Sequence, residues 1–458
     1  MGKLSCVSPI DGAVIATRDT LSEADARDLA AAARAAQPAW AARPMDERIA
    51  LVRKAVAIIG EQQDRMTREL ALQMGRPIRY GGEFGGFNER ASYMCDIAGT
   101  SLAPAVIEET DTVLRQIKRV PLGLVMVIAP WNYPYMTAIN TIAPALIAGN
   151  TVMLKHAAQT ILVGEHLAEA FHAAGVPEDV FVNVALDHDV TGALISGGCV
   201  DFVNFTGSVG GGRMMEQYAG GTFTSVATEL GGKDPAYIRA DADLDAAVDG
   251  VMDGAMFNSG QCCCGIERIY VAEPLFDAFV QKAVALVNQA KLGNPLDPET
   301  TMGPMASPRF ARAVRAQIEA AVAAGAKAHI APMAGDDGGA YLTPQILTGV
   351  THDMDVMREE SFGPVVGIMP VKDDEEAIRL MNDSQYGLSA SIWTADAAAA
   401  EAIGDRLETG TVFMNRCDYL DPGLCWTGCK DTGRGAGLSV LGYHALTRPK
   451  SFHLKKKV

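Results

Sequence analysis

GLVMVIAP (123–130), TVMLK (151–155), DVFVNVAL (179–186) and DFVNFTG (201–207) are the runs that decide the fold. Each is short, apolar and strand-like, and helical segments separate them. Between the second and third lies TILVGEHLAEAFHAAG (160–175), a helix that Gly175 closes, with Pro177 just beyond. Strand, helix and strand at such intervals imply a parallel sheet covered on both faces. Upstream, residues 21–75 read as helices. Ser22 with Asp25 resembles a capping box, and Ile49, Val52, Val56 and Ile59 recur at helical spacing. Downstream, residues 230–430 alternate again, with helices near 275–290 and 308–324 and strands in ERIYVAE and PVVGIMP, so a second α/β domain is expected. The segment APAVIEETDTVLRQIKRV (103–120) and the basic tail HLKKKV lie outside both alternations and are expected to pair as an appended sheet.

With 458 residues the chain exceeds one ordinary core, and burial does not limit it. Apolar residues make up 48% and charged residues 21%, the balance of a globular enzyme rather than of a disordered chain. Asp and Glu (55) outnumber Lys and Arg (39), for a formal charge of -16, which disfavours nucleic acid and anionic lipid as partners. Any anionic ligand must then be held by a local site. The start MGKLSCVSPIDG has its apolar character broken by Pro9 and Asp11, so no secretory signal is expected. The apolar stretch 141–154 contains Pro144, Gly149 and Asn150 and is too short to cross a membrane. Nine cysteines, three of them consecutive, suit no disulfide framework, and reduced thiols in the cytoplasm are the simplest expectation.

The chemistry concentrates in a few stretches. NSGQCCCG (258–265) is a turn of small residues bearing three thiols, where backbone amides can lower a thiol pKa and hold developing negative charge. Taken singly, such cysteines are also compatible with inert burial. A metal site is not expected, because adjacent thiols lack ligand spacing and Cys425 with Cys429 has no second pair. TELGGKDP (228–235) puts Glu229 at a strand end before two glycines, where a carboxylate can activate water or simply face solvent. PWNYP (130–134) ends a buried strand, and Asn132 offers an amide donor suited either to an oxyanion or to a turn. FTGSVGGG places Gly207 and Gly212 between a strand and a helix, a context that attracts a pyrophosphate, although the spacing is not the usual dinucleotide fingerprint.

PWNYP, LKHAAQT, FTGS, ELGGK, GQCCC and EESFGP occur in the order and spacing of the NAD(P)-dependent aldehyde dehydrogenase superfamily, which the chain resembles over nearly its whole length. The resemblance implies a Rossmann-like cofactor domain (1–104 and 123–230), a catalytic domain (231–438) and a small bridging or oligomerisation sheet (105–122 and 439–458). It makes Cys263 the nucleophile, Asn132 the oxyanion amide together with the Cys263 N–H, and Glu229 the general base. A thiohemiacetal on Cys263 gives up hydride to NAD or NADP, and Glu229-activated water hydrolyses the resulting thioester. The same resemblance assigns Lys155 to the adenine ribose, Gly207, Ser208 and Gly212 to the phosphates, Glu360 and Phe362 to the nicotinamide end, and Pro130 and Trp131 to the cofactor cleft.

Departures from the family pattern matter. The usual lysine-proline pair is Lys155–His156 here, with His156 either against the adenosine or, as the simpler expectation, exposed, and the position of the ribose-binding Glu is Ala158, which leaves NADP open beside NAD. CWTGCKDTGRG (425–435) replaces a commoner PFGGxKxSG stretch, and Trp426 takes the aromatic place along the aldehyde tunnel. By the same resemblance Tyr133, Met136, Thr137, Asn140, Cys262 and Cys264 fall at tunnel positions, and Thr137 with Asn140 points to an aldehyde bearing a hydroxyl, amide or carboxylate, the alternative being that Asn140 only satisfies helix backbone or water. A CoA-acylating relative lacks the base that Glu229 provides here, and a catalytically silent binding protein would have lost the nucleophile or base first. A homodimer or homotetramer is the expected assembly.

Overall fold

The computed structural model describes residues 2–457. The first sheet has six strands in the order Gly433–Arg434, Ser225–Glu229, Phe202–Thr206, Leu124–Ala129, Thr151–His156 and Phe181–Asn183. All neighbours are parallel except Gly433–Arg434, which adds antiparallel to the edge. Every residue of Leu124–Ala129 and Thr151–His156 is buried, as strands covered by helices on both faces require. The helix Pro134–Ala148 starts with proline at its first position and ends on Gly149, whose φ of 94° suits only a residue without Cβ strain. Ile161–Ala174 ends the same way on Gly175.

DVFVNVAL makes a shorter strand than its apolar run suggests. Phe181–Asn183 lies at the sheet edge with a partner on one side, and Asp187 soon caps the helix His188–Ser196. The N-terminal helical region breaks into Glu23–Ala42, Met45–Gly60 and Gln63–Met74, with the Ser22 hydroxyl accepting the Asp25 N–H at the first start.

The second sheet has seven strands in the order Lys327–Ala328, Gln345–Thr348, Val365–Val371, Ile266–Ala272, Asp234–Ile238, Ser389–Trp393 and Thr411–Met414, parallel except at the short first strand. Only Leu230–Lys233 separates the last long strand of one sheet from the first strand of the other. A third sheet joins Thr447–Lys455 to Val113–Pro121 and Val113–Pro121 to Ala105–Glu109, all antiparallel, so the tail and the 103–120 segment do pair. Ser439–Ala445, just before the tail strand, is a helix packed on the first unit, where the Tyr443 hydroxyl donates to the Met94 carbonyl at 2.6 Å.

This topology locates a cleft. Leu124–Ala129 leads toward Thr151–His156 on one side, whereas Phe202–Thr206 lies on its other side, so the chain reverses direction across the sheet at that boundary. In open parallel sheets a ligand site opens at the carboxyl ends of the strands at such a point. Here those ends carry Pro130, Lys155, Gly207 and Glu229. The second sheet faces the same cleft with its amino ends, preceded by Gly231, Cys263 and Glu360.

Candidate active site

One cavity of about 930 Å³ runs through this cleft and is lined by Asn132, Glu229 and Cys263 together. Three distant stretches of sequence therefore converge, and the backbone explains how. Asn258 and Ser259 hold left-handed φ angles of 54° and 55°, and Gly260 passes so close to Gly363 that a Cβ would lie 2.3 Å from its carbonyl. Such a turn is costly for non-glycine residues and persists only where its surroundings fix it. Gln261 does part of that fixing: its side chain accepts the Ala306 N–H at 2.8 Å and donates to the Asn258 carbonyl at 3.0 Å. Gly232 lets the Cys263 carbonyl approach, since a Cβ there would stand 2.4 Å from that oxygen.

The sequence did not disclose the network beneath Asn132. Arg76 and Glu83 form a buried ion pair at 2.8 Å. Arg76 also donates to the Asn132 carbonyl and to Asn258 Oδ1, and its guanidinium lies over the Tyr133 ring at 4.6 Å. Glu83 in turn accepts the Tyr135 and Met136 N–H groups, both at 2.9 Å, so it caps the helix that follows PWNYP. A buried charge pair is held only when its remaining bonds are satisfied, and these are. The result fixes the 131–133 loop against the cysteine turn.

Glu229 ends its strand with Oε2 accepting from Thr206 Oγ1 at 3.3 Å. Enclosure raises its pKa to about 7, with the Thr206 bond and the Arg90 charge opposing the rise. Cys263 is half-buried, between the buried Cys262 and Cys264, and the three sulfurs lie within 4.8 Å of one another. The flanking thiols both donate to Asp418 Oδ1, at 3.1 and 3.0 Å, and either single S–H can turn instead to a Cys263 thiolate. Hydrogen bonding to the charged form lowers the Cys263 pKa, whereas burial raises that of the Asp418 carboxyl.

The other tunnel positions, Tyr133, Met136, Thr137, Asn140 and Trp426, line the same cavity, as do Cys262 and Cys264. Asp418, Leu420 and Arg90 join them without any motif having marked them. Toward the first sheet the lining continues through Pro130, Trp131, Lys155, Gly207, Ser208, Glu360 and Phe362. Trp131 stacks on Phe310 at 5.2 Å and meets Phe362 edge-on at 5.5 Å, so Phe310 is a further wall residue. Ser361 and Phe362 hang by their N–H groups from Glu267, which is itself paired with Lys233 of the ELGGK stretch.

Two expectations need correcting. Gly212 does not line the cavity; it sits inside the helix Val209–Ala219, where a Cβ would stand 2.6 Å from Leu230, so its glycine serves helix-to-loop packing. His156 is buried rather than exposed, because it ends a central strand under the helices. Its Nε2 lies 3.4 Å from the Pro134 carbonyl and its Nδ1 3.2 Å from Thr160 Oγ1, and burial lowers its pKa to about 4, leaving it neutral.

Residues 2–452 match the family described as the aldehyde dehydrogenase family. The chain belongs to the aldehyde dehydrogenase family. Among relatives of this aldehyde dehydrogenase, a succinate-semialdehyde dehydrogenase [NADP(+)] of Deinococcus radiodurans is 32% identical over 455 residues, covering 98% of this chain and 95% of the relative. A betaine aldehyde dehydrogenase of Rhizobium leguminosarum is 34% identical over 465 residues, covering 97% and 92%. Among solved structures, PnpE in complex with nicotinamide adenine dinucleotide superposes with a TM-score of 0.95 at 30% identity, covering 100% of this chain and 95% of that one. The aldehyde dehydrogenase is accordingly an NAD- or NADP-dependent oxidoreductase that takes an aldehyde to the carboxylic acid.

Proposed function

We propose that Cys263 is the nucleophile, Asn132 the oxyanion donor and Glu229 the general base of this oxidation, acting on a small aldehyde that carries a polar group. The observation that carries the reading is their convergence on one cavity at the switch point of the first sheet. The Cys263 thiolate adds to the carbonyl carbon, and the new oxyanion takes hydrogen bonds from the Asn132 amide and the Cys263 N–H. NAD or NADP, when bound, supplies the two-electron acceptor of the overall oxidation. Glu229 then removes a proton from the water that adds to the acyl carbon, and the C–S bond breaks so that Cys263 leaves as thiolate while the acid is released. Acid formation in the absence of CoA and phosphate tests this reading against acyl transfer.

The cavity has the features a dinucleotide requires. Lys155 Nζ makes no hydrogen bond or ion pair among the described residues, and Gly231 lets the Glu360 carboxylate come close, since a Cβ there would lie 2.2 Å from its Oε2. Lys155 would hold ribose hydroxyls at the adenine end, Gly207 and Ser208 the phosphates at the start of Val209–Ala219, and Glu360 with Phe362 the nicotinamide riboside. Trp131 and Pro130 would complete the wall. Ala158 lines the Lys155 end and carries no charge to repel a 2′-phosphate. Ala158→Glu is expected to raise the KM for NADP about tenfold more than that for NAD, by like-charge repulsion at short range. Initial rates with both cofactors measure this, and an equal change for the two would remove Ala158 from cofactor choice.

The third sheet is proposed to join copies of this chain into a dimer or tetramer. Ile107 is 58% exposed and Leu454 46%, with Val106 and Ile117 also uncovered, an apolar surface unusual for an edge sheet facing water. Ile107→Asp together with Leu454→Asp is expected to lower the assembly mass seen by light scattering, and an unchanged mass would place the interface elsewhere. Cytoplasmic work is supported by nine unpaired cysteines. Among the described residues no helix is long and apolar enough to cross a membrane.

A further inference from the structure

Arg90 projects from the helix Phe84–Ser101 into the wall of the cavity beside Met136, Thr137 and Asn140, and only 8% of it is exposed. A guanidinium keeps its charge in any protein setting, and a buried one is ordinarily forked onto a carboxylate. Arg90 is not. Its Nη1 donates to the Met136 carbonyl at 3.1 Å and reaches Asn140 Oδ1 at 3.5 Å, while its Nε is buried without a partner. Among the described residues no Asp or Glu is paired with it, although Glu83 is taken up by Arg76 nearby.

Another acid on the cavity wall, Asp418, is not paired with it either. Asp418 is occupied by the Cys262 and Cys264 thiols, and burial pushes its carboxyl pKa up. Arg90 and Cys263 line the same cavity, and against the burial that lowers the Arg90 pKa, the charges of Glu83, Cys264, Glu229 and Cys263 favour its cationic form. In a chain of formal charge -16, a tunnel whose wall holds a cation that no described carboxylate pairs is the local site that an anionic ligand needs.

We infer that Arg90 is a specificity-determining residue that receives the terminal carboxylate of an ω-oxo acid, with Thr137 and Asn140 beside it, while the aldehyde end meets Cys263. This rests on the assignment of Cys263 as nucleophile in the same cavity. A guanidinium N–H is a strong donor to a carboxylate, so the anion would engage the Nη2 end of Arg90, which no described residue takes up.

The test compares 4-oxobutanoate and 5-oxopentanoate with butanal and pentanal at saturating cofactor, in the wild-type protein, Arg90→Met and Arg90→Lys. The wild type is expected to favour the oxo acids by at least about tenfold in kcat/KM. In Arg90→Met that preference should fall about 100-fold, through KM, and Arg90→Lys should recover part of it. If Arg90→Met does not fold, butanoate should still compete with aldehyde in the wild type where butanamide does not. A wild-type preference for alkanals, an unaltered ratio in Arg90→Met, an equal fall for charged and neutral substrates with a shifted pH profile, or butanoate and butanamide inhibiting alike would each overturn the assignment. Failure to oxidise any aldehyde would instead strike the underlying assignment of Cys263.

Discussion

Cys263→Ala is expected to lower aldehyde-dependent NAD(P)H formation by about 10⁴-fold or more, because no covalent adduct can form and oxyanion stabilisation alone leaves a small residue of rate. Steady-state assays at saturating aldehyde measure the loss. Cys262→Ala and Cys264→Ala serve as the register check. Each removes a thiol that donates to Asp418 and can support the Cys263 thiolate, so the expected change is in KM and in the acid limb of the pH profile rather than extinction of turnover. Iodoacetamide supplies an independent readout at neutral pH. The pKa of Cys263 is lowered, whereas those of Cys262 and Cys264 are raised, so the middle cysteine should be alkylated first. A dead Cys262→Ala beside an active Cys263→Ala would move the nucleophile by one residue and with it the whole reading of the turn.

The fold was open to inspection in the sequence wherever burial is symmetrical. Leu124–Ala129 is apolar at every position because helices cover both faces, and that pattern survives without knowledge of any partner. Gly175 and the Ser22 cap were equally plain, since local backbone chemistry alone dictates them. What sequence could not supply was pairing across distance. Arg76 meets Asn258 at 3.1 Å although 182 residues separate them, and neither sits in a stretch whose composition signals a buried network. Arg90 reads as one more charge on an amphipathic helix until the neighbouring helix Pro134–Ala148 covers it.

Gly212 and His156 failed for a related reason. The glycine-rich run marks the start of a helix, yet which glycine faces the ligand and which faces Leu230 depends on helix phase against a neighbour. Likewise, His156 stands next to a lysine, which suggests a polar surface. The strand pleat instead turns its ring under the helices, toward Pro134 and Thr160.

Glu229→Gln is expected to separate the two halves of the reaction. The amide is nearly isosteric and can keep the Thr206 hydroxyl as a partner, so acylation of Cys263 should proceed while deacylation loses its base. Pre-steady-state absorbance should then show a burst of about one NAD(P)H per active site, followed by turnover slowed roughly 10²- to 10⁴-fold. The pH dependence has a defined sign. The carboxylate must be ionised to accept a proton from water, and its pKa is raised to about 7, so wild-type deacylation should climb with pH below that value and level off above it. The variant should lack that limb. Stability moves the opposite way: a carboxyl whose folded pKa lies above its unfolded one favours the native state only while protonated, and that contribution disappears as pH rises through about 7. Glu229→Gln at pH 8 should therefore melt no lower than the parent, which separates a catalytic loss from a folding defect. Steady turnover near the native rate, with no burst, would show that water reaches the thioester by another base, and the cavity would have to be searched again for it.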